Sequence, residues 1–351
     1  MKRSVLIILI LLSVAALVFV YNDDFLYSQQ IMKITNIDTV SEETSRNTMG
    51  LEETHYTRRI TGEVLNGRQK GEEKEFLYEE TYSSVVTDRF RVGDKVFVDG
   101  TELQLKRDFY LALIAAVFII LIYFVGSYKG LLSVASVLIN SVIFYVGLFL
   151  YDKGVNLLVL CVIEMIVFSV LSLMLASGLN KKTLAAVVSV VISTGVMLTL
   201  LLIVIKTTNY KGINFNEVSF LTVPAEDIIM PELLIGSIGA VMDVAITICS
   251  SMSELIEKNK DISEKELNKS AKEIGKDIMG SMSIVLFFTY LCAGLPVFVL
   301  AIRNGFLIRN YIASNFSLEL SRFLVGSIGI VITIPISAFV AIRIMKRGAA
   351  K

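Results

Sequence analysis

The sequence has very little histidine, and this excludes most common enzyme sites. His55 is the only histidine, and it lies in a polar segment without a companion ligand. No Ser/His pair and no His-Glu-x-x-His metal motif can therefore form, and the apolar runs lack the paired aspartates of an intramembrane protease. We expect no enzyme activity, no resident metal and no cofactor.

Cysteine is also scarce. The three cysteines, Cys161, Cys249 and Cys292, all fall within apolar runs rather than in the polar segment. Their positions give no disulfide framework and no spacing typical of metal ligands. We expect buried, unpaired thiols.

Charge is low as well. Charged residues make up 19% of the 351 residues, and hydrophobic residues make up 54%. A soluble domain of this length would be difficult to keep dispersed with that balance. Basic and acidic residues number 33 each, but the segment 22–106 has an excess of acids, which argues against nucleic acid as a partner. The composition predicts an integral membrane protein whose first partner is the lipid bilayer.

Eight apolar stretches approach the length of about 20 residues that a helix needs to cross a bilayer core. They are residues 5–21, 109–126, 131–150, 157–176, 184–205, 228–249, 283–302 and 323–342. The first has no evident cleavage site, so residues 1–21 are predicted to be an uncleaved signal anchor. The predicted fold is an α-helical polytopic membrane protein with about eight transmembrane helices, seven of them in a membrane domain at 107–351.

The distribution of lysine and arginine in short loops predicts the orientation. Five groups fall on one side of the predicted spans: Lys2 and Arg3, Lys129, Lys181 with Lys182, the Lys-rich stretch 258–276, and Lys346. Basic residues such as Lys153, Lys206, Arg303 and Arg322 lie on the other side and weaken the bias. The predicted arrangement places both termini in the cytoplasm.

The polar segment 22–106 is large enough for a small domain, which this orientation places outside the cytoplasm. Its second half alternates apolar and polar residues and contains turn signals at Asn66-Gly67 and Gly93-Asp94. This pattern predicts a small antiparallel β-barrel or sandwich. The first half, residues 22–59, is predicted to be helical or partly irregular.

The most informative residue is Asp243, an acid within the otherwise uncharged run 233–249. An acid inside a membrane span is costly and is a functional-site hypothesis by default. At helical spacing Asp243 shares one face with small and polar residues, namely Gly236, Ala240, Thr247, Ser250 and Glu254, and Gly239 is a further helix-packing candidate. Small residues allow close helix packing, so we expect this face to lie against a neighbouring helix. Asp243 then serves either as a protonation or ion-binding site or as a packing residue.

Other polar groups at membrane depth are candidate partners of Asp243. Asn140 lies in the third predicted span and Glu164 in the fourth, while the seventh contributes Ser283, Thr289 and Tyr290 after Gly280 at its entry. If Glu164 faces the bundle, two nearby carboxylates would raise the pKa of one of them and favour a shared proton or cation. The alternative is a single acid held neutral by a hydrogen bond.

Acids also occur at the start of the sixth predicted span, where Asp227 and Glu232 flank Pro231. Proline suits a first helical turn, and acids there stabilise the positive end of the helix dipole. Helix capping explains the cluster, and a vestibule for cations is the alternative.

The stretch 263–279 carries the signals of an amphipathic helix. Ser263 and Glu266 have the spacing of a capping box, and Leu267, Ala271 and Ile274 form an apolar stripe. We expect a cytoplasmic helix that lies at the inner membrane surface and connects the Asp-bearing span to the next one. It either couples protonation to movement or is a solvated connector.

Two segments resemble each other. Residues 234–241 (LIGSIGAV) match 324–331 (LVGSIGIV), and at the same offset Asp243 corresponds to Thr333. The match is weak evidence for a duplication in which one copy has the acid.

The chain resembles the YibE/F-like family of bacterial multi-pass membrane proteins. The resemblance rests on the segment from Gly236 to Asp243 with Glu254, on the motif IGKDIMG at 274–280, and on Gly294-Leu295-Pro296. It implies a plasma-membrane protein described as a permease, in a family without an established substrate. The order of Asp-bearing span, connector and Gly- and Pro-containing span is also similar to part of the resistance-nodulation-division exporters and SecD/SecF.

These observations predict a secondary transporter or a proton- or cation-coupled export component of unknown substrate. Its partners would be a small solute or ion and a second membrane subunit or a second copy of the chain. The alternative from another class is a membrane scaffold or sensor whose outward domain binds a ligand or an envelope component.

Overall fold

A computed structural model describes residues 2–46, 52–84, 87–209, 225–303, 305–309, 312 and 316–346. The chain forms two compact units, Met1–Leu131 and Leu132–Lys351. The first contains an antiparallel sheet, and we call it the sheet unit. The second contains most of the helices, and we call it the helical unit.

Long apolar helices dominate the chain. They are α1 (Lys2–Tyr21), α2 (Asp108–Asp152), α3 (Leu157–Ser177), α4 (Lys181–Thr208), α5 (Ala225–Lys258), α6 (Glu264–Arg303) and α7 (Phe316–Ala341). In the described part of the chain, these seven helices are long and apolar enough to cross a membrane. They indicate a multi-pass membrane protein.

The seven helices correspond to the eight predicted spans because α2 covers the second and third of them. The backbone of Ser127 leaves helical geometry, with φ 53° and ψ −137°, so α2 consists of two helices that meet at a kink. A Cβ atom at Gly130 would lie 2.5 Å from the backbone oxygen of Ile122, so the chain turns sharply there. The kink lies at the boundary predicted between the two spans.

The sheet unit contains one five-stranded sheet. Its strands are β1 (Gln30–Arg46), β2 (Glu52–Val64), β3 (Glu73–Thr81), β4 (Lys95–Asp99) and β5 (Glu102–Leu105). All neighbours pair antiparallel in the order β3-β2-β1-β4-β5. The two outer strands do not pair with each other in the described residues, so the prediction of a barrel or sandwich was wrong. A single open sheet takes its place.

The prediction for the first half of this segment was also wrong, because β1 alone spans 17 residues of it. Only the start of β1 reaches the core, through Ile31, Met32 and Ile34. Most of the rest of the strand is exposed and pairs with β2 as a long hairpin, from Asn36 opposite Thr61 to Arg46 opposite Glu52. A strand without a buried face has no period-2 apolar pattern, so the sequence gave no strand signal there.

The core of the sheet unit closes around a buried asparagine. The side-chain amide of Asn66 donates to the backbone oxygens of Asp24, Tyr27 and Gln29 at 2.8–3.1 Å, and its oxygen accepts from the Ile31 N–H at 2.7 Å. One side chain thus satisfies four backbone groups of the segment that leads from α1 into β1.

The sheet unit has a second polar cluster at its last strand. The Lys106 ammonium group, nearly buried, donates to Asp23 at 2.6 Å and lies 3.2 Å from Asp108, the first residue of α2. The Tyr27 hydroxyl donates to the same Asp108 carboxylate at 2.5 Å, and this hydrogen bond raises the pKa of Tyr27 to about 12. These contacts join the end of α1, the sheet and the start of α2.

The helical unit is organised around α5 and α7, which run parallel and in close contact. A Cβ atom at Gly326 of α7 would lie 3.9 Å from Ser237, and one at Gly329 would lie 3.1 Å from Val241 of α5. Close approach of α5 therefore depends on Gly329, whereas a Cβ atom at Gly326 would first meet Leu286 of α6, at 2.9 Å. The two similar segments, 234–241 and 324–331, are the ones that pack against each other.

The predicted amphipathic helix at 263–279 belongs to α6 and is not a separate helix; its position at the inner membrane surface stays a prediction. Its capping box is confirmed, because the Ser263 hydroxyl and N–H donate to Glu266 while the Glu266 N–H donates back to Ser263. Leu267 and Ala271 are fully buried in the core of the helical unit, and Gly275 packs against Ile334 of α7. The apolar stripe faces protein and continues without a break into the apolar part of α6.

We expect Asn66→Ala to destabilise the segment that leads from α1 into β1. The substitution leaves four buried or half-buried backbone groups without their partner and should cost about 2 kcal/mol or more locally. Hydrogen exchange of the amides from residue 23 to residue 31, measured by mass spectrometry on the full-length protein, should become faster. Asn36→Ala is the control, because Asn36 is exposed and its side chain bonds only to Asp38; equal protection in both variants would contradict the role of Asn66.

The raised pKa of Tyr27 predicts a pH dependence. Because the folded value of about 12 lies above the ordinary value of 10, the neutral phenol stabilises the fold below pH 10, and this contribution is lost as the pH rises through about 12. Titration of tyrosinate absorbance should place one group near 12 that is missing in Tyr27→Phe. In Asp108→Asn the same group should titrate closer to 10, and an unchanged titration there would exclude the Asp108 carboxylate as the cause.

Candidate functional site

Asp243 lies near the middle of α5, and its carboxylate is exposed. The nearby Thr247 hydroxyl donates to the backbone oxygen of Asp243 at 2.6 Å and does not contact the carboxylate. Among the described residues the carboxylate has no hydrogen-bond or ion-pair partner. The expectation that this face packs against a neighbouring helix was wrong for Asp243, because α5 buries a different and more apolar face that includes Val241, Val244 and Ile248.

The small residues beside Asp243 line the same open face. Gly236 and Gly239 are exposed and Ala240 is half-buried. Gly236 contacts α6 closely: the Tyr290 hydroxyl donates to its backbone oxygen at 3.0 Å. A Cβ atom at position 236 would lie 2.6 Å from that hydroxyl, whereas one at Gly239 would meet nothing within 4 Å. Tyr290 therefore joins α6 to the Asp243 face about two turns away from the acid.

An ion-pair cluster lies farther along the same helices. Arg322 of α7 pairs with Glu319 one turn before it and with Glu232 of α5. Glu319 is 8% exposed, and its second carboxylate oxygen and the Arg322 Nε have no hydrogen-bond partner in the described residues. Gly294 of α6 packs near the Glu319 side chain. One cation is thus shared by two carboxylates, and the cluster carries a net formal charge of −1.

These two features belong to one face of α5. Glu232, Gly236 and Asp243 are separated by four and seven residues, so they lie above one another on the helix. The distance from Glu232 to Asp243 is about 16 Å along the axis. We call this face of α5 the track: it runs from Glu232 at the ion-pair cluster past the Tyr290 hydroxyl to Asp243, and between Gly236 and Asp243 it carries Gly239 and Ala240, which have no polar side chains.

Glu164 lies in a different place from Asp243. It is 6% exposed on α3, packs directly on the backbone of Gly147 in α2, and has one carboxylate oxygen without a hydrogen-bond partner in the described residues. Farther along this α2–α3 contact, the Asn140 amide and the Ser136 hydroxyl both donate to the Ser172 hydroxyl, at 2.8 and 3.0 Å. No hydrogen bond joins Glu164 to the exposed Asp243, so the pairing of the two acids predicted from the sequence is not present.

The other predicted polar partners do not reach Asp243. The Thr289 hydroxyl donates to Val285 of its own helix at 2.8 Å, and Ser283 is half-buried. Glu254 is exposed near the far end of α5, and a Cβ atom at Gly280 would meet nothing within 4 Å. Within the residues that the structure describes, no group of three or more His, Cys, Asp and Glu side chains is arranged to hold a metal ion.

Comparison with known families gives two matches. The YibE/F-like protein model matches residues 114–347, and the YibE/F family N-terminal domain matches residues 25–108. The chain belongs to the YibE/F-like family. The first match covers the track on α5 and the ion-pair cluster, and the second covers the sheet. No curated protein and no solved structure matches this YibE/F-like chain.

The ion-pair cluster of this YibE/F-like protein is the part of the site that the sequence analysis missed. From the sequence, Arg322 is one of the basic residues that weaken the bias of lysine and arginine toward one side of the membrane. Glu232 is interpreted there as a helix-capping acid or as part of a vestibule for cations. A signal was available, because Glu319 and Arg322 are three residues apart at the start of an apolar helix and therefore share one face. Their partner on α5 lies 90 residues away, which no local pattern reveals.

We expect Gly236→Ala to disturb the contact between α5 and α6 of the YibE/F-like protein. The added methyl group would overlap the Tyr290 hydroxyl, and overpacking of this kind costs about 1–3 kcal/mol. Thermal unfolding in detergent should show a lower midpoint for Gly236→Ala and a smaller loss for Gly239→Ala, which has open space. Tyr290→Phe removes the overlapping oxygen, so Gly236→Ala should cost less in that background; strictly additive effects would contradict direct contact.

Proposed function

We propose that this protein is a secondary transporter, or the membrane component of an exporter, that couples solute movement to protons or cations. Asp243 is the protonatable or cation-binding residue. The substrate is a small solute or ion, and the protein is not an enzyme. It resides in the bacterial plasma membrane, with both termini in the cytoplasm.

The observation that carries this proposal is the unpartnered carboxylate of Asp243. A carboxylate in the middle of an apolar helix is costly in a bilayer unless a proton, a cation, water or another protein group meets it. In the described residues no protein group does so. The absence of a partner favours exchange with a mobile ion over a purely structural role, because a packing residue would hold a fixed hydrogen bond.

The ion-pair cluster supports the same direction. Two carboxylates share one guanidinium group, so the cluster has a net negative charge at the end of the track. Such a charge attracts cations toward the track and disfavours anions. The Tyr290 hydroxyl lies between the cluster and Asp243 and can both donate and accept a hydrogen bond. Glu164 of α3 is buried against Gly147 of α2, as a second protonation site would be. It is not connected to the track by a hydrogen bond in the described residues.

A scaffold or sensor function is the second candidate, and one observation favours it. The outer half of the β1–β2 hairpin extends beyond the short strand β4, which pairs only with Gln30–Lys33 of β1. The remaining edge of β1 offers unpaired backbone groups that could receive an added strand from a ligand or an envelope protein. The two functions differ in whether ion movement occurs without any such ligand.

Reconstitution into liposomes tests the leading proposal. With a pH indicator inside and a potassium diffusion potential across the bilayer, the wild-type protein should admit protons faster than protein-free liposomes. Asp243→Asn should reduce proton entry to the protein-free level, because the amide cannot take up a proton. A parallel measurement with radioactive sodium identifies a cation other than the proton.

Thr247→Val is the matched control, since Thr247 shares the face and its hydroxyl bonds only to the helix backbone. It should retain the flux of the wild-type protein. Undiminished flux of both ions in Asp243→Asn would refute the role of Asp243. If a variant without residues 22–106 retains flux, the membrane part acts as a transporter on its own; loss of ligand binding alone would favour the sensor.

A further inference from the structure

Four lysines form one face at the start of α6. Lys265, Lys269, Lys272 and Lys276 follow one another at spacings of four, three and four residues, and all four are exposed. At 3.6 residues per turn they fall within one narrow sector of the helix and extend about 16 Å along its axis. We call this sector the lysine face.

The lysine face forms no close ion pair in the described residues, although Glu266, Glu273 and Asp277 lie beside it on the same turns. It points away from the buried side of the same turns, where Leu267, Ala271 and Gly275 pack into the helical unit. None of its four lysines forms an ion pair with another described residue, and the ion pairs described in the helical unit are those of Arg322. Four unpaired positive charges on one side of a helix require an anionic partner or remain solvated.

The packing of the helices gives the level of the lysine face relative to the membrane. The paired residues Lys181 and Lys182, at the first positions of α4, mark the level at which that apolar helix leaves the bilayer. They line a cavity of about 440 Å³ together with Ser253 and Ile256 of α5. The level of the α4 boundary therefore corresponds to about residue 255 on α5.

The position of the same membrane boundary on α6 follows from the contact between α5 and α6. Gly236 of α5 lies opposite Tyr290 of the antiparallel α6, so residue 255, nineteen positions further on, lies at about the height of residue 271 on α6. This position is near the middle of the lysine face. Lys276 then lies on the apolar side of the boundary and Lys265 on the aqueous side, each within about 10 Å of it along the axis.

We infer that the lysine face binds the headgroups of anionic phospholipids in the leaflet at this end of the protein. Long lysine stems can lie along apolar surface and place their ammonium groups among phosphates. Clusters of four or more basic residues beside a membrane helix attract anionic lipids in this way. Within two to three turns α6 exposes Ile284, Val285 and Phe288, which suit the acyl chains below such headgroups. The inference is independent of Asp243.

Lipid selectivity of the full-length protein tests the inference. The protein is reconstituted in phosphatidylcholine bilayers with spin-labelled phosphatidylglycerol or spin-labelled phosphatidylcholine as the probe, and the fraction of motionally restricted label is measured. The wild-type protein should prefer the anionic probe by about fivefold or more, and the preference should fall as salt is raised. The variant in which all four lysines of the face are changed to Gln should lose most of this preference.

Two further variants make the result specific. Changing the four lysines to Arg keeps the charge and should keep the preference. Neutralising four exposed basic residues toward the opposite end, with Lys153→Gln, Lys206→Gln, Arg303→Gln and Arg309→Gln, should leave most of it. No preference in the wild-type protein would mean that the face is only solvated, and an equal preference in the Gln variant would place the lipid contacts elsewhere; either result overturns the inference.

Discussion

The close parallel packing of α5 and α7 is the contact on which the helical unit depends. Gly329 allows close approach to Val241 of α5, and about two turns earlier Arg322 of α7 pairs with Glu232 of α5. The antiparallel α6 then lies against both helices, with Leu286 at Gly326, Tyr290 at Gly236 and Gly294 near Glu319. In a bilayer, burial of apolar side chains contributes little to helix association, because lipid is also apolar. Close backbone contacts and a few polar interactions therefore determine which helices pack together.

Much of the helical architecture could be predicted from the sequence, because long apolar runs leave few alternatives in a membrane. The start of α6 was predictable to the residue, since the capping box is a local signal. Three features were not predictable. The long strand β1 lacks a buried face, the open side of α5 cannot be told from its packed side when lipid and protein are both apolar, and the Glu232–Arg322 contact spans a long sequence separation.

Two of the buried charge arrangements in the described residues solve the same problem differently. In the sheet unit, Lys106 is nearly buried and meets Asp23 and Asp108 while Tyr27 satisfies the latter, so nearly every polar atom has a partner. In the helical unit, Glu319 and Arg322 each leave one polar atom without a partner in the described residues. Fully satisfied networks stiffen a structure, and partly satisfied ones leave positions for water or an ion. The first arrangement suits an anchor and the second suits a site that exchanges its contents.

The unbroken course of α6 has a mechanical consequence. A helix of 40 residues is about 60 Å long. Gly275 packs tightly against Ile334, so this contact is the point about which the helix could tilt. Tyr290 lies about 22 Å from that point and Glu264 about 16 Å on the other side. If α6 tilts about this contact, a shift of about 1 Å at Tyr290 moves Glu264 by about 0.7 Å in the opposite direction. Events at the hydroxyl beside the Asp243 face and at the lysine-bearing end would then be geometrically linked without any refolding between them.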